Sequence, residues 1–217
     1  MFNYLHSRFH RPERGWDPVP RGHAESYSSA EMAIPTGPVL DSLEARLGSL
    51  RGLRVLDLGG GPGQFSMDFA RRGAAVTWHD VSRTYLGIAE IAARERGLEI
   101  EFSLGYLEDA RKWSNAPFDL VFCRICWYYC MNDRKFAGII HSIIKPGGAA
   151  YLVVPVRPPG SLKGRIIYRI NHLTGFKIGH PYPPPGRVAA LFQRIPGMKI
   201  DWTSTEGKNE KIWVEKA

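Results

Sequence analysis

The chain has 217 residues and a mass of 24.4 kDa, enough for one domain with a sizeable buried core. With 44% hydrophobic and 23% charged residues it has an ordinary globular composition, which excludes a disordered chain, and no apolar run approaches the ~20 residues of a membrane span. The net charge is +8 and is placed unevenly: from Arg134 to Ile200 there is no Asp or Glu, a bias that favours an anionic partner unless acids elsewhere in the fold balance it.

The opening, MFNYLHSRFHRPERGW, has neither an apolar stretch nor a small-residue cleavage site, so no signal peptide and a cytoplasmic location are expected. Residues 1–37 are weakly periodic and are expected to form an N-terminal cap, with SSAEM opening a short helix. In GPVLDSLEARLGSL, Val39, Leu40, Leu43 and Leu47 share one helical face. From there strands and helices alternate: LRVLDL, GQFSMDFARRG, AAVTWHD, then SRTYLGIAEIAARERG with Ser82 as its cap and Gly97 as its stop. LEIEFSLG and APFDLVFCRI follow as strands, DRKFAGIIHSII as a helix stopped by KPGG, and AAYLVVPV as a fully apolar strand. Strands separated by helices of this length predict βαβ units and a parallel sheet.

Residues 157–186 break the alternation; proline and glycine surround the amphipathic stretch SLKGRIIYRINHL, in which Leu162, Ile166, Ile170 and Leu173 share a face. This stretch is expected to act as a lid packed on the domain, and its Lys163, Arg165 and Arg169 also suit an anionic membrane surface or substrate. A helix near Arg187 to Arg194 precedes MKIDWTS and KIWVEK, which alternate with period two around TEGKNE and predict an antiparallel hairpin at the sheet edge. The expected organisation is one domain over 1–217, with the insertion placed before the last two strands.

Three cysteines cluster as Cys123, Cys126 and Cys130. Three thiols in one segment are a poor disulfide framework and fit a reducing compartment. As a metal site they lack a nearby fourth ligand, and radical-type clusters use the reverse order, C-x3-C-x2-C. No metal is expected.

The stretch that carries chemistry is VLDLGGGPGQFS. Gly59, Gly60, Gly61 and Gly63 let backbone approach a ligand closely at the carboxyl end of a strand, where open α/β sheets bind. A dinucleotide loop would require glycine where Gln64 stands, and a phosphate loop would require a lysine that is absent; the spacing is D-x-G-x-G-x-G from Asp57. At the end of the next strand Asp80 is positioned to accept hydrogen bonds from a ribose diol, or else to cap the following helix.

With HDVS, FDLVFCRICWYY and IIKPGG following in order, the sequence resembles the class I S-adenosylmethionine-dependent methyltransferases from about Val39 to Pro155. The resemblance implies a Rossmann-like α/β fold: a seven-stranded mixed sheet, parallel with an antiparallel C-terminal strand, and helices on both faces. It implies S-adenosyl-L-methionine as cofactor, the glycines along its methionine and ribose part, Asp57 bracing the loop, Asp80 on the ribose and Val81 on the adenine. Tyr106, where the family often has an acidic residue, would stack on the adenine, with Leu107 and Glu108 supplying polar contact. Cys123 and Arg124 would line the methyl end.

Methyl transfer from a sulfonium is an in-line displacement, so alignment and desolvation do much of the work, and a base is needed only for an acceptor proton of high pKa. Tyr128, Tyr129 and His180 are the candidates for that base, with His23 and His172 behind them. Nucleic acid is a disfavoured acceptor: the Asn/Asp-Pro-Pro-aromatic turn of nucleobase amino-methylating relatives is replaced by CRIC, and no Pro-Cys pair exists. The expected acceptor is a small or glycan-like molecule, anionic and methylated on oxygen, with peripheral membrane contact open. The competing readings are a nucleotide-dependent oxidoreductase and a basic binding module for nucleic acid or membrane.

Overall fold

The computed structural model describes residues 7–157, 162, 166, 170 and 182–217. The strands form one seven-stranded sheet in the order β3-β2-β1-β4-β5-β7-β6, and the chain divides into two compact units.

The first unit, Arg11–Gly105, contains α1 (Arg21–Met32), α2 (Gly37–Leu47), β1 (Arg54–Leu58), α3 (Gln64–Arg71), β2 (Ala75–Asp80), α4 (Arg83–Glu95) and β3 (Ile100–Leu104). β2 pairs in parallel with β1 on one side and β3 on the other. SSAEM ends α1 rather than opening a helix, because the helix starts after Pro20 and Ala24 buries in its first turns. Ala24, Trp78, Tyr85 and Ala89 make one buried cluster, with Tyr27 and Phe102 packed against it. Leu40 and Leu43 of α2 bury as their spacing requires. Ser82 caps α4 as expected, its hydroxyl accepting from Tyr85 N–H at 3.2 Å.

The second unit joins Met1–His10 to Tyr106–Ala217. It holds β4 (Phe118–Arg124), α5 (Asp133–Ile143), β5 (Ile144–Pro155), α6 (Arg187–Phe192), β6 (Met198–Glu206) and β7 (Asn209–Lys216). β4 and β5 are parallel, and the C-terminal hairpin joins as expected, β7 lying antiparallel to both β5 and β6. KPGG does not lie outside the strand: β5 begins at Ile144, which pairs with Phe118, and the ladder then shifts register before Leu120 meets Ala149. Gly148 is what permits that irregularity, since a Cβ there would stand 2.9 Å from the Asp119 carbonyl. Around β4 the core is aromatic: Trp127 lies 5.0 Å from Phe136 and 5.9 Å from Phe192, ring centre to ring centre. Three short 3₁₀ turns, Pro12–Arg14, Leu107–Trp113 and Trp127–Tyr129, complete the described chain. Most of the expected lid, 157–186, lies outside the described residues; Leu162, Ile166 and Ile170 are helical and exposed.

Candidate functional site

In the first unit the glycine loop leaves β1 and is held against the end of β2. Gly59 N–H donates to the His79 carbonyl at 2.7 Å, and Gly63 N–H to that of Gly60 at 3.0 Å. The loop lies on the edge of Trp78, whose indole N–H donates to the Gly61 carbonyl at 3.0 Å. A Cβ on Gly60 would stand 2.3 Å from Trp78 Cδ1, so no larger residue fits while that ring stays buried. Gly63, at φ +87°, turns the chain into α3 with Ala89 Cβ 3.0 Å from where its own would be. Asp57, buried in β1, accepts from Ser66 Oγ at 2.6 Å and so ties strand to helix beneath the loop.

Asp80 is joined directly to this loop. One carboxylate oxygen accepts from Gly61 N–H at 3.0 Å and the other from Ser82 N–H at 2.9 Å. Burial pushes its carboxyl above the ordinary value, with the nearby Asp17 adding to that push; N–H bonds from Ser82, Gly61 and Val81 pull the other way. A carboxylate offers about four lone-pair sites, so three N–H donors leave it able to accept from one more hydroxyl. The helix cap is Ser82 and not Asp80; Asp80 instead holds the backbone of the glycine loop at Gly61 and of Ser82 ahead of α4.

Asp17 carries no motif and was not legible in the sequence. One oxygen accepts from Val19 N–H at 2.9 Å; the other accepts from Thr84 N–H and Thr84 Oγ1, both at 2.8 Å. Burial opposes its ionisation, but the bonds from Val19, Thr84 and Ser82 outweigh that and hold it below its ordinary value. It pins the segment before α1 to the start of α4. Glu31 of α1 was missed for the same reason: it is buried and accepts from Gln64 Nε2 at 2.7 Å.

In the second unit Tyr106, Leu107 and Glu108 open the 3₁₀ turn. Tyr106 donates its hydroxyl to the His10 carbonyl at 2.6 Å, and Glu108 Oε1 accepts from Met131 N–H, joining this turn to the segment after β4. Cys123 and Arg124 end β4, the first buried and the second half-buried. Ile125 follows at φ +57°, the left-handed region that a β-branched residue avoids; such a conformation costs about 1–3 kcal/mol and persists only where the surroundings enforce it. Its N–H donates to the Val153 carbonyl at 2.7 Å, which fixes it to β5.

Tyr128 packs on Tyr129 and Tyr182, with ring centres 4.3 Å and 5.0 Å away. Burial, then its hydrogen bond with Tyr129, pushes the Tyr128 phenol well above its ordinary value. It stays protonated at neutral pH and is a hydrogen-bond donor there. Tyr129 is exposed, at 58%. His172 and His180 lie outside the described residues, and His23 stacks on Tyr27 in the first unit. The folded chain thus brings Asp57, the loop glycines, Asp80 and Val81 together in one unit, and Tyr106 to Glu108, Cys123, Arg124, Tyr128 and Tyr129 into the other.

Residues 55–148 match a protein family described as a methyltransferase domain. Among curated proteins, the chain is 31% identical over 120 residues to the ubiquinone biosynthesis O-methyltransferase of Aeromonas salmonicida, covering 55% of this chain and 50% of that protein. It is 30% identical over 155 residues to the enzyme of the same name from Bordetella avium, covering 71% and 61%. The chain thus spans about half the length of the curated relatives it matches. Among solved structures, an O-methyltransferase family protein from Burkholderia thailandensis superposes with a TM-score of 0.67 at 20% identity, covering 90% of this chain and 60% of that one. Magnesium protoporphyrin IX methyltransferase from Synechocystis, solved with bound S-adenosylhomocysteine, gives 0.59 at 22% identity, covering 83% and 82%. The fold is a methyltransferase fold. The matched methyltransferase domain spans residues 55–148, and the site motifs within it are similar to those of the class I S-adenosylmethionine-dependent methyltransferases.

Proposed function

We propose that this chain transfers a methyl group from S-adenosyl-L-methionine to an oxygen of a small-molecule or glycan-like acceptor. The observation that carries the reading is the Gly61 N–H bond to the Asp80 carboxylate, which holds a side-chain-free loop beside a carboxylate with accepting capacity to spare. The donor set fits an adenosyl group: a neutral diol suits a carboxylate, whereas a diphosphate would meet its charge. The glycines would pass along the methionine and ribose, Asp57 would brace them, Asp80 would take the ribose and Val81 the adenine. In the other unit, Tyr106, Leu107 and Glu108 are assigned to the adenine and Cys123 and Arg124 to the methyl end.

When bound, the cofactor supplies an electrophilic methyl on a sulfonium. The protein's task is to align the acceptor oxygen in line with it and keep water out. Tyr128 is assigned to donating a hydrogen bond that orients the acceptor; Tyr129 and His180 are the groups assigned to receiving its proton. O-methylation is supported by the names of the curated relatives, and an anionic acceptor by the absence of acids from Arg134 to Ile200. Exposed Leu162, Ile166 and Ile170 within that basic stretch support peripheral contact with an anionic membrane. We read the chain as a single methyltransferase domain, placed in the cytoplasm because three reduced cysteines in one segment suit a reducing compartment.

Calorimetric titration with S-adenosylmethionine tests the cofactor assignment: micromolar binding to the wild type and a large loss in Asp80→Ala are expected. Absence of binding, or equal binding by the variant, overturns it. Transfer of radiolabelled methyl to a panel of phenols, catechols and acidic sugars then identifies the acceptor class.

A further inference from the structure

We propose that Cys123 and Cys126 are a modification site: an oxidisable dithiol that closes to a disulfide when the protein meets a peroxide. In an extended strand, residues three apart point to opposite faces, so this spacing alone would keep the two thiols separate. The structure brings them together. Their sulfur atoms are 3.1 Å apart, closer than the ~3.5–4.0 Å at which non-bonded heavy atoms usually settle. Ile125 is what makes the contact, since its left-handed backbone at φ +57° reverses the chain between Arg124 and Cys126. The strained residue and the thiol contact are one device: the conformation is held by the Ile125 N–H bond to Val153, and its consequence is a pair of facing sulfurs.

Neither cysteine is in a disulfide, and an approach of about 1 Å would bring the sulfurs to bonding distance. Cys123 has no exposed surface, whereas Cys126 keeps 6%, so a small oxidant reaches Cys126 first. The chemistry balances with hydrogen peroxide as oxidant. The Cys126 sulfur takes one peroxide oxygen to become a sulfenic acid, and the other oxygen leaves as water. Cys123 sulfur then attacks the Cys126 sulfur, the S–S bond forms as the S–O bond breaks, and the displaced hydroxyl leaves as a second water with the Cys123 proton. Cys130 stands apart from this pair: it is also buried, and its thiol donates to Asp133 Oδ1 at 3.5 Å.

The test treats the full chain with hydrogen peroxide, alkylates remaining thiols and maps tryptic peptides by mass spectrometry without reduction. Cleavage after Arg124 separates the two cysteines, so the disulfide is seen as a linked peptide pair, lighter by two hydrogens than its reduced parts and released by dithiothreitol. Fragmentation between Cys126 and Cys130 locates the bond. Cys130→Ser is expected to link as the wild type does; Cys126→Ser is expected to form no link and to lose its Cys123 thiol at least tenfold more slowly. The wild-type map needs no variant to fold, and a thermal melt confirms that each variant has folded. A link through Cys130, or over-oxidation of Cys126 with Cys123 still alkylated, overturns the proposal.

Discussion

Two segments at strand ends reach the left-handed backbone region by opposite means. After β1, the loop uses glycine at φ +76°, +51° and +87°, where the missing Cβ makes the conformation nearly free. After β4, Ile125 takes φ +57° and the surrounding ladder must hold it. The first loop is limited by space, because Trp78 occupies what a side chain would need. The second is limited by strain, and the side chain is present.

The sharpest way to break this comparison is Gly60→Ala. With a methyl 2.3 Å from a buried indole carbon, overpacking is expected to destabilise by about 3 kcal/mol and to abolish cofactor binding, read by thermal unfolding and calorimetry. Pairing it with Trp78→Ala, which removes the offending ring, is expected to be less damaging than the sum of the single changes; simple additivity would show that the clash is not the cause.

Asp80→Ala comes next. Loss of a charge-assisted hydrogen bond predicts a fall in S-adenosylmethionine affinity of about tenfold to a hundredfold, with the melting temperature changed far less than by Gly60→Ala. Calorimetric titration separates the two effects.

On the other side of the comparison, Ile125→Gly and Ile125→Ala both remove packing, but only glycine relieves the backbone. The glycine variant is expected to be the more stable by about 1 kcal/mol in chemical denaturation. The order would reverse at an ordinary strand position, where glycine is the worse choice.

The smallest effect concerns Asp17. Because its hydrogen bonds hold it below the ordinary value of 3.8, its contribution is present above that pH and is lost as pH falls through the lower folded value. Asp17→Asn is expected to cost under about 1 kcal/mol at neutral pH, since the group is partly solvated. Denaturation curves of the two proteins should converge as the pH falls below 3.8.

The same contrast explains what could be read beforehand. A glycine-rich turn after an apolar strand, and an aspartate closing the next strand, are local patterns, and they led to Gly59 through Gly63 and to Asp80. Ser82 was legible as a cap because capping depends on residues three apart. Ile125 gave no sign of its conformation, since nothing in CRIC marks a left-handed residue. Asp17 and Glu31 were equally silent: their partners Thr84 and Gln64 lie 67 and 33 residues away. The early start of β5 was missed because proline and two glycines ordinarily end a strand, and only pairing of Ile144 with Phe118 draws them into the ladder.

Sequence alone determined the alternation of strands and helices, the closing hairpin and the place of the glycine loop, because each rests on the period or turn chemistry of a few neighbouring residues. Tertiary structure decided that Gly60 sits on Trp78, that Asp17 anchors α4, and that two cysteines on nominally opposite faces touch. Those contacts depend on packing and on strand register, which bring together side chains that no local pattern relates.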